Sequence, residues 1–314
     1  MKSFFRREYA AAALTEQFPP QLRHPNKQLA FELAMQGATP TGEITVTRWH
    51  PLALPASLPA THTEELVLAG YYDYAATRDT AWHVNFADPN LFVAYGSGLL
   101  AQDELQCVEH PALGSIREAL DAEHLAAWTE EDGLGPTPVL VGNVERRCTL
   151  ETAVSMARPL GLYGNQFARA DAATIRAALK LHQPPSRSNL IAIAAPVGSG
   201  RYTRAQLERV VVTAYTGFAA AVNESGAAVE ICTGFWGCGA FGGNRELMTA
   251  LQLFAARLAG VARVKFYAFD DAGRADFQRG QAALERALAA TTSVAEVISR
   301  LDATGYHWGV SNGT

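Results

Sequence analysis

Cysteine is scarce in this chain, and its spacing excludes the common metal motifs. The four cysteines, among 314 residues, are too few and too scattered for a disulfide framework. We therefore expect reduced thiols and a cytoplasmic location. No CxxC, HxxxH or HExxH spacing occurs, so no metal site is predicted, and no cofactor is expected.

Long apolar runs and long basic runs are also missing. Apolar stretches such as residues 190–197 fall well short of the roughly 20 residues that span a bilayer, and we predict neither a signal peptide nor a membrane partner. The longest basic runs are pairs, and the net charge is -5. This charge argues against binding along a nucleic acid backbone, because such binding needs clustered Lys and Arg. A polyanionic ligand is expected to bind in a pocket.

The remaining composition is that of a folded α/β protein. Apolar residues make up 48% and charged residues 18%, within the globular range. Residues 1–42 carry two helical patterns, at 9–18 and 26–36, and are predicted to form a short helical N-terminal extension. Residues 43–314 are predicted to form a single domain, and we expect a monomer.

Within residues 43–314, strand-like and helical patterns alternate. Strands are predicted at 43–47, 65–69, 82–86, 138–142, 189–195, 227–232 and 263–269. Helices are predicted at 116–128, 173–182, 203–221, 245–258, 276–290 and 293–301. This alternation predicts a three-layer α/β/α fold around a parallel or mixed sheet.

The most informative segment is a glycine-rich stretch between a predicted strand and a predicted helix. It reads TGFWGCGAFGGN, residues 233–244, with five glycines in ten residues. A strand, a glycine-rich turn and a helix N-terminus form a good anion site, because successive N–H groups can converge there. The spacing fits neither a P-loop nor GxGxxG. The alternative interpretation is a tight turn without a ligand.

The letters WGCGAFGGN resemble the WGCGAFGGD loop of the poly(ADP-ribose) glycohydrolase family. AYTGF at 214–218 and the final predicted helix resemble flanking segments of that family. The resemblance implies a macrodomain-like fold and binding of ADP-ribose. It places the diphosphate against this loop, and the implied contacts are Phe235, Gly237, Gly239, Ala240, Phe241 and Gly242.

A second resemblance concerns the catalytic segment. VNFAD at 84–88, Gln102-Asp103-Glu104 and HPAL at 110–113 resemble the family's VDFAN, QEE and NPEL. The resemblance implies that Glu104 is the catalytic acid, with Asp103 orienting ribose hydroxyls and Gln102 near the substrate. Cleavage of a ribosyl bond needs a proton for the leaving atom and a base for water, and one carboxyl can serve both in turn. The alternative is a pair of solvated acids in a helix first turn.

The chain departs from the family pattern next to these acids. The family's triple glycine corresponds to residues 91–98, LFVAYGSG, where bulky side chains replace glycine. Its ribose-binding Asn is Asp88 here, and its Asp is Asn85. A carboxylate at position 88 can bind ribose hydroxyls, but it can equally receive an arginine guanidinium. The departures favour mono-ADP-ribosyl substrates, including arginine-linked ones, over polymer.

Adenine recognition requires an aromatic ring and a few polar contacts. Tyr72 and Asp73, before the VNFAD strand, and Phe269, after the KFYAF strand, are the candidates. The chain is thus expected to hydrolyse ADP-ribose from proteins or polymer. The alternative from another class is an ADP-ribose-binding module without catalysis.

Overall fold

The structure is a computed structural model that describes residues 1–76, 80–311 and 313. The strands are β1 (Ser3–Ala10), β2 (Glu43–Trp49), β3 (Glu64–Leu68), β4 (Ala81–Ala87), β5 (Glu130–Glu131), β6 (Gly135–Pro136), β7 (Val139–Leu150), β8 (Leu179–Ala194), β9 (Glu230–Gly234) and β10 (Arg263–Tyr267). The α-helices are α1 (Ala11–Gln17), α2 (Pro25–Met35), α3 (Gln102–Glu109), α4 (Ala112–Ala122), α5 (Gln166–Arg169), α6 (Ala172–Ala178), α7 (Arg204–Ser225), α8 (Arg245–Leu258), α9 (Asp271–Leu288) and α10 (Val294–Ala303).

A mixed eight-stranded sheet organises the molecule, in the order β1-β2-β7-β8-β4-β9-β10-β3. The strands from β8 through β3 run parallel to one another, whereas β1, β2, β7 and β8 pair in antiparallel fashion. The parallel strands all end at one edge of the sheet. Ligands of such sheets bind at the carboxyl ends of the strands, so this edge is where a site is expected.

Both faces of the sheet are covered by helices. Along β8, Ile191 and Ile193 pack into a core shared with residues of α7, α8, α9 and α10. Leu190 and Ala192 pack into a second core, with residues of α1 and α4. Because successive side chains of a strand point to opposite faces, this alternation places one helical layer on each side. The predicted α/β/α architecture is confirmed.

The helix after the glycine-rich segment forms as its apolar spacing predicts. Leu247, Leu251 and Phe254 of α8 are fully buried, and the Asn244 side chain accepts a hydrogen bond from the Leu247 N–H at 3.0 Å. Such an N-cap contributes about 1 kcal/mol to helix stability. Burial of one face and capping of the first turn therefore fix where this helix begins.

The N-terminal residues differ from the prediction. The two predicted helices are present as α1 and α2, but residues 3–10 form β1, an edge strand paired with β2. The prediction missed this strand because its side chains are mostly exposed and lack a regular apolar alternation. Residues 1–42 thus supply one strand of the sheet as well as two helices, and the domain boundary at residue 42 stays a prediction.

A second difference concerns the helix predicted at 173–182. The helix α6 ends at Ala178, and β8 begins at Leu179. Residues 179–181 pair with 148–150 of β7, which itself extends eight residues beyond the predicted strand end. Strand pairing between these two segments, which are distant in sequence, determines the secondary structure of residues 179–182. It outweighs the local helical pattern.

Candidate active site

The sheet opens between β4 and β9 at its carboxyl edge. These strands pair only over residues 81–83 and 230–232. Beyond that point the Gln102 side chain makes the hydrogen bonds to β4 that a neighbouring strand would make. Its Oε1 accepts a hydrogen bond from Phe86 N at 2.7 Å, and its Nε2 donates one to Val84 O at 3.0 Å. Tyr72 Oη also donates to Val84 O, at 2.9 Å. Side chains thus hold the two strands apart.

A cleft of about 270 Å³ lies at this opening. Its lining comprises Tyr71, Tyr72, Tyr74, Phe86, Gln102, Leu105, Gln106, Glu109, Arg146, Thr149, Leu150, Glu151, Thr152, Ala153, Gly234, Tyr267 and Phe269. Four of these residues, at positions 102, 105, 106 and 109, form one face of α3. The helix that carries the candidate acids therefore forms one wall of the cleft.

Exposed aromatic rings line the cleft mouth. Phe269 is 40% exposed and Tyr71 is 50% exposed, and their ring centroids lie 5.1 Å apart in an edge-to-face arrangement. Phe269 adopts a left-handed backbone conformation, with φ of 64°. Exposed aromatic rings at the mouth of a cleft provide a surface on which a planar ligand can stack.

Tyr72 and Asp73 differ in position, although they are adjacent in sequence. Tyr72 lines the cleft, and burial raises the pKa of its hydroxyl. Asp73 is exposed, and its Oδ1 accepts a hydrogen bond from Ala75 N at 3.1 Å. Of the two candidates, Tyr72 contributes to the cleft wall.

The acids Asp103 and Glu104 are both buried at the start of α3, 5% and 4% exposed. Asp103 Oδ1 accepts a hydrogen bond from Asn85 Nδ2 at 2.9 Å, and the same amide group donates to Gln106 Oε1. Glu104 Oε2 accepts from Ala101 N at 2.9 Å. In the part of the chain that the structure describes, Glu104 Oε1 makes no hydrogen bond, so one oxygen of this carboxylate is free for a ligand.

Burial strongly affects the ionisation of Asp103. Burial first, and the neighbouring Glu104 charge second, raise the pKa of Asp103. Loss of hydration and a nearby negative charge both disfavour the charged form of a carboxyl group. The hydrogen bond from Asn85 lowers the pKa of Asp103 and so opposes these two effects. Asn85 is fully buried and holds the Asp103 side chain in place.

The glycine-rich loop connects β9 to α8 by a compact turn. Gly237 and Gly242 have φ of 74° and 66°, which favour glycine. Backbone hydrogen bonds from Gly243 N to Gly237 O and from Gly242 N to Gly239 O close the turn. Ala240 at its tip is exposed. The loop therefore presents backbone at a helix N-terminus, as an anion site requires.

The aromatic residues of this loop pack inward. Phe235 is 4% exposed and lies edge-to-face against Phe266, with the Arg245 guanidinium 4.7 Å from its ring centroid. Phe241 is half-buried against the same core. Phe235 was predicted to contact the ligand. In the structure its side chain stabilises the base of the loop.

The segment before α3 packs against the N-terminal residues. Phe92 is fully buried despite a φ of 53°, and Tyr95 Oη accepts from Gln21 N at 2.6 Å. Gly96 O accepts from the N–H groups of Arg23 and His24. The Gly96 carbonyl of this segment is therefore bound to the N-terminal residues.

Asp88 lies in the turn directly after β4. Its Oδ1 accepts a hydrogen bond from Asn90 N at 2.9 Å, and the side chain is half-buried. The residue does not belong to the cleft lining. Its predicted role at the distal ribose stays a prediction.

Two residues near the C-terminus contact different parts of the predicted site. Gly309 N donates to Gly242 O of the glycine-rich loop at 2.7 Å, and Asn165 Nδ2 donates to Gly313 O at 3.1 Å. Gly164, next to Asn165, exchanges two backbone hydrogen bonds with Leu100, just before α3.

The structure brings the predicted residues together in three groups. Tyr72, Gln102 and Phe269 share the cleft, Asn85 contacts Asp103, and residues 237–242 form the loop that begins beyond Gly234 of the cleft wall. Sequence reasoning missed Tyr71, Gln106 and the buried Glu109–Arg146 ion pair of 2.9 Å. The i, i+3, i+4, i+7 spacing along α3 could have identified Gln106 and Glu109.

Neither a metal cluster nor a membrane-spanning helix is found in the described ranges. No three His, Cys, Asp or Glu side chains there could jointly hold an ion. No helix there is long and apolar enough to cross a bilayer.

Comparison with known families bears on this arrangement. Residues 163–276 match the family model described as "Poly (ADP-ribose) glycohydrolase (PARG), Macro domain fold". The resemblance to the PARG family is confirmed. The match includes β9, the glycine-rich loop, α8 and β10, and it begins after the acids of α3. No curated protein sequence matches the chain.

Solved structures of bacterial PARG enzymes are similar to this chain. PARG from Thermomonospora curvata is 19% identical, with 87% of this chain and 93% of that chain covered and a TM-score of 0.48. PARG from Deinococcus radiodurans, in complex with ADP-ribose, is 14% identical, with 89% and 95% covered and a TM-score of 0.49. At these identities, no residue role is transferred from either enzyme.

Proposed function

We propose that this protein hydrolyses the bond between the distal ribose of ADP-ribose and an ADP-ribosylated protein, and that mono-ADP-ribosyl groups are preferred over polymer. The observation that carries the proposal is the buried Asp103–Glu104 pair at the start of α3. Another face of the same helix lines the aromatic cleft, and neither acid is among the lining residues. A PARG-type glycine-rich loop lies beyond the same cleft wall.

Binding is expected to use two separate features. The adenine ring stacks on Phe269 at the cleft mouth, where Tyr71 provides a second ring. The diphosphate lies against the backbone of Gly239 and Ala240, before the N-terminus of α8, where the helix dipole favours negative charge. Phe235 and Gly237 shape this loop from beneath.

Bond cleavage is assigned to Glu104, whose Oε1 is free of hydrogen bonds within the described residues. Glu104 passes the proton that the acid pair holds to the leaving atom as the bond to the anomeric carbon breaks. The resulting carboxylate then takes a proton from the attacking water, whose oxygen bonds to that carbon. Asp103, which Asn85 holds in place, orients the ribose hydroxyls, and Asp88 contacts the ribose or a guanidinium leaving group.

The preference for mono-ADP-ribosyl substrates is supported by the segment before α3. Its Gly96 carbonyl accepts hydrogen bonds from Arg23 and His24, and Phe92 and Tyr95 fill a hydrophobic core. Packing against the N-terminal residues therefore takes the place that the glycines have in the family pattern. Asp88 adds a carboxylate that suits an arginine side chain.

The proposal is tested by incubating the protein with arginine-, serine- and glutamate-linked mono-ADP-ribosyl peptides and with polymer, and measuring released ADP-ribose by mass spectrometry. Glu104→Gln is expected to slow release at least 100-fold, the usual contribution of general acid–base catalysis. Glu208→Gln, at an exposed acid on α7, is the matched control and should retain full activity. Binding of free ADP-ribose without release from any substrate would select the alternative, a binding module without catalysis.

A further inference from the structure

Lys27 is a buried cation whose position the proposed reaction does not yet explain. It lies in the first turn of α2 and is 2% exposed. Its Nζ donates to Tyr95 O at 3.1 Å and lies 5.6 Å from the centroid of the Phe167 ring. Burying an ammonium group is costly unless a negative charge is nearby, because the group loses its hydration.

The side of α3 that faces Lys27 carries the candidate acids. Lys27 and Tyr95 line a small cavity together with Cys107 of α3. Cys107 Sγ lies 3.8 Å from Asp103 Oδ1. Burial lowers the pKa of Lys27 to about 8, and the charge of Glu104 is the largest influence that opposes this shift. The ammonium group is therefore within electrostatic reach of both acids.

Neither acid has a direct ion pair. In the ranges that the structure describes, no Lys or Arg nitrogen, that of Lys27 included, lies within ion-pair distance, 4.0 Å, of Asp103 or Glu104. Among the cations, Lys27 is the one whose charge acts on Asp103. The other ionisable groups that act on the pair are Cys107 of the same helix, Asp88 after β4 and Tyr163 before α5. None of these three groups carries a positive charge in any protonation state.

We infer that Lys27 is the buried counter-cation of the Asp103–Glu104 pair and keeps one negative charge on that pair at neutral pH. Lys27 is thus a positioning residue, which acts through the two acids without touching the substrate. The single proton that remains on the pair is the one that the leaving atom receives, and this part of the inference rests on the proposed function. Residues 1–42 would then contribute directly to the chemistry of the site.

The test measures the titration of the acid pair in the protein without ligand. Carboxyl carbons of Asp and Glu are labelled with ¹³C, and the signals of the pair are assigned with Asp103→Asn and Glu104→Gln. In Lys27→Met the midpoint of the pair should move up by about 1 pH unit, because a nearby positive charge stabilises carboxylates by at least that much. Lys27→Arg should restore the wild-type midpoint.

Phe31→Leu is the control for packing, since Phe31 lines the same cavity and carries no charge. It should leave the midpoint unchanged. Near-ultraviolet circular dichroism verifies folding, and Lys27→Gln replaces Lys27→Met where the latter is unfolded. An unchanged midpoint in a folded, neutral variant would overturn the inference.

The pH dependence of the reaction rate is a second measurement on the same variants. The acidic limb of the pH–rate profile should move upward by about 1 pH unit in Lys27→Met and not in Lys27→Arg. If no substrate is hydrolysed by the wild type, the proposed function fails, whereas the titration of the pair still decides the role of Lys27. A profile that does not move in the neutral variant contradicts that role.

Discussion

The glycine-rich loop, residues 235–244, and the segment before α3, residues 88–101, both follow a parallel strand and precede a helix, but their backbones are used differently. The glycine-rich loop closes on itself and leaves Ala240 exposed at its tip. The segment before α3 buries Phe92 and binds the N-terminal residues through Gly96. One segment exposes backbone at its tip, and the other packs against the N-terminal residues and binds Glu104 through Ala101 N.

This difference shows that two loops at the same edge of a sheet can be shaped in different ways. Glycines shape one of them, whereas the side chains of Phe92 and Tyr95 fill a core in the other. Lys27 of α2 donates to Tyr95 O in the segment before α3, and Asn85 of β4 holds Asp103.

The largest effect is expected for Gly237→Ala in the glycine-rich loop. Gly237 has φ of 74°, and an added Cβ would lie 2.5 Å from the Ala195 Cβ. Strain and overpacking together should lower the free energy of unfolding by about 3 kcal/mol. Chemical denaturation followed by circular dichroism measures this loss.

Gly226→Ala is the matched control for that substitution. Gly226 has φ of 58° but has no neighbouring atom within 4 Å of an added Cβ. It should cost about 1 kcal/mol, the cost of a left-handed conformation alone. Equal losses in the two variants would mean that the loop is not tightly packed against β8.

A smaller effect is expected for Phe269→Ala at the cleft mouth. Loss of a stacking ring should weaken ADP-ribose binding about tenfold, and stability should change little because the ring is partly exposed. Isothermal titration calorimetry with free ADP-ribose measures the affinity. Leu134→Ala, at a residue of similar exposure on the β5–β6 turn, should bind as the wild type does. Unchanged affinity in Phe269→Ala would remove the ring from the site.

Much of the fold could be predicted from the sequence because its signals are local. The seven predicted strands are all present, and the bounds of α8 match its apolar stripe at Leu247, Leu251 and Phe254. The edge strand β1 and the long pairing of β7 with β8 were not predicted. Both depend on partners that are distant in sequence, and local patterns carry no information on such pairing.

The candidate site was only partly predictable for a related reason. Motifs identified Asp103, Glu104 and the glycine-rich loop, but they could not reveal which contacts each side chain makes. The use of Gln102 in holding β4, and the inward packing of Phe235, follow from the three-dimensional arrangement. Lys27 belongs to no recognisable sequence motif, and its burial next to α3 is visible only in the structure.

The central claim is that the glycine-rich loop, and not the segment before α3, holds the diphosphate. The most direct test is calorimetric titration of free ADP-ribose into Gly237→Ala and Gly96→Ala, both below their unfolding temperatures. Gly96→Ala brings a Cβ within 2.3 Å of Gln21 O and so distorts the segment before α3. We expect binding to fall more than tenfold in Gly237→Ala and to change less than threefold in Gly96→Ala, since the lost contacts are those of the loop. Loss of binding in Gly96→Ala with retention in Gly237→Ala would contradict the account.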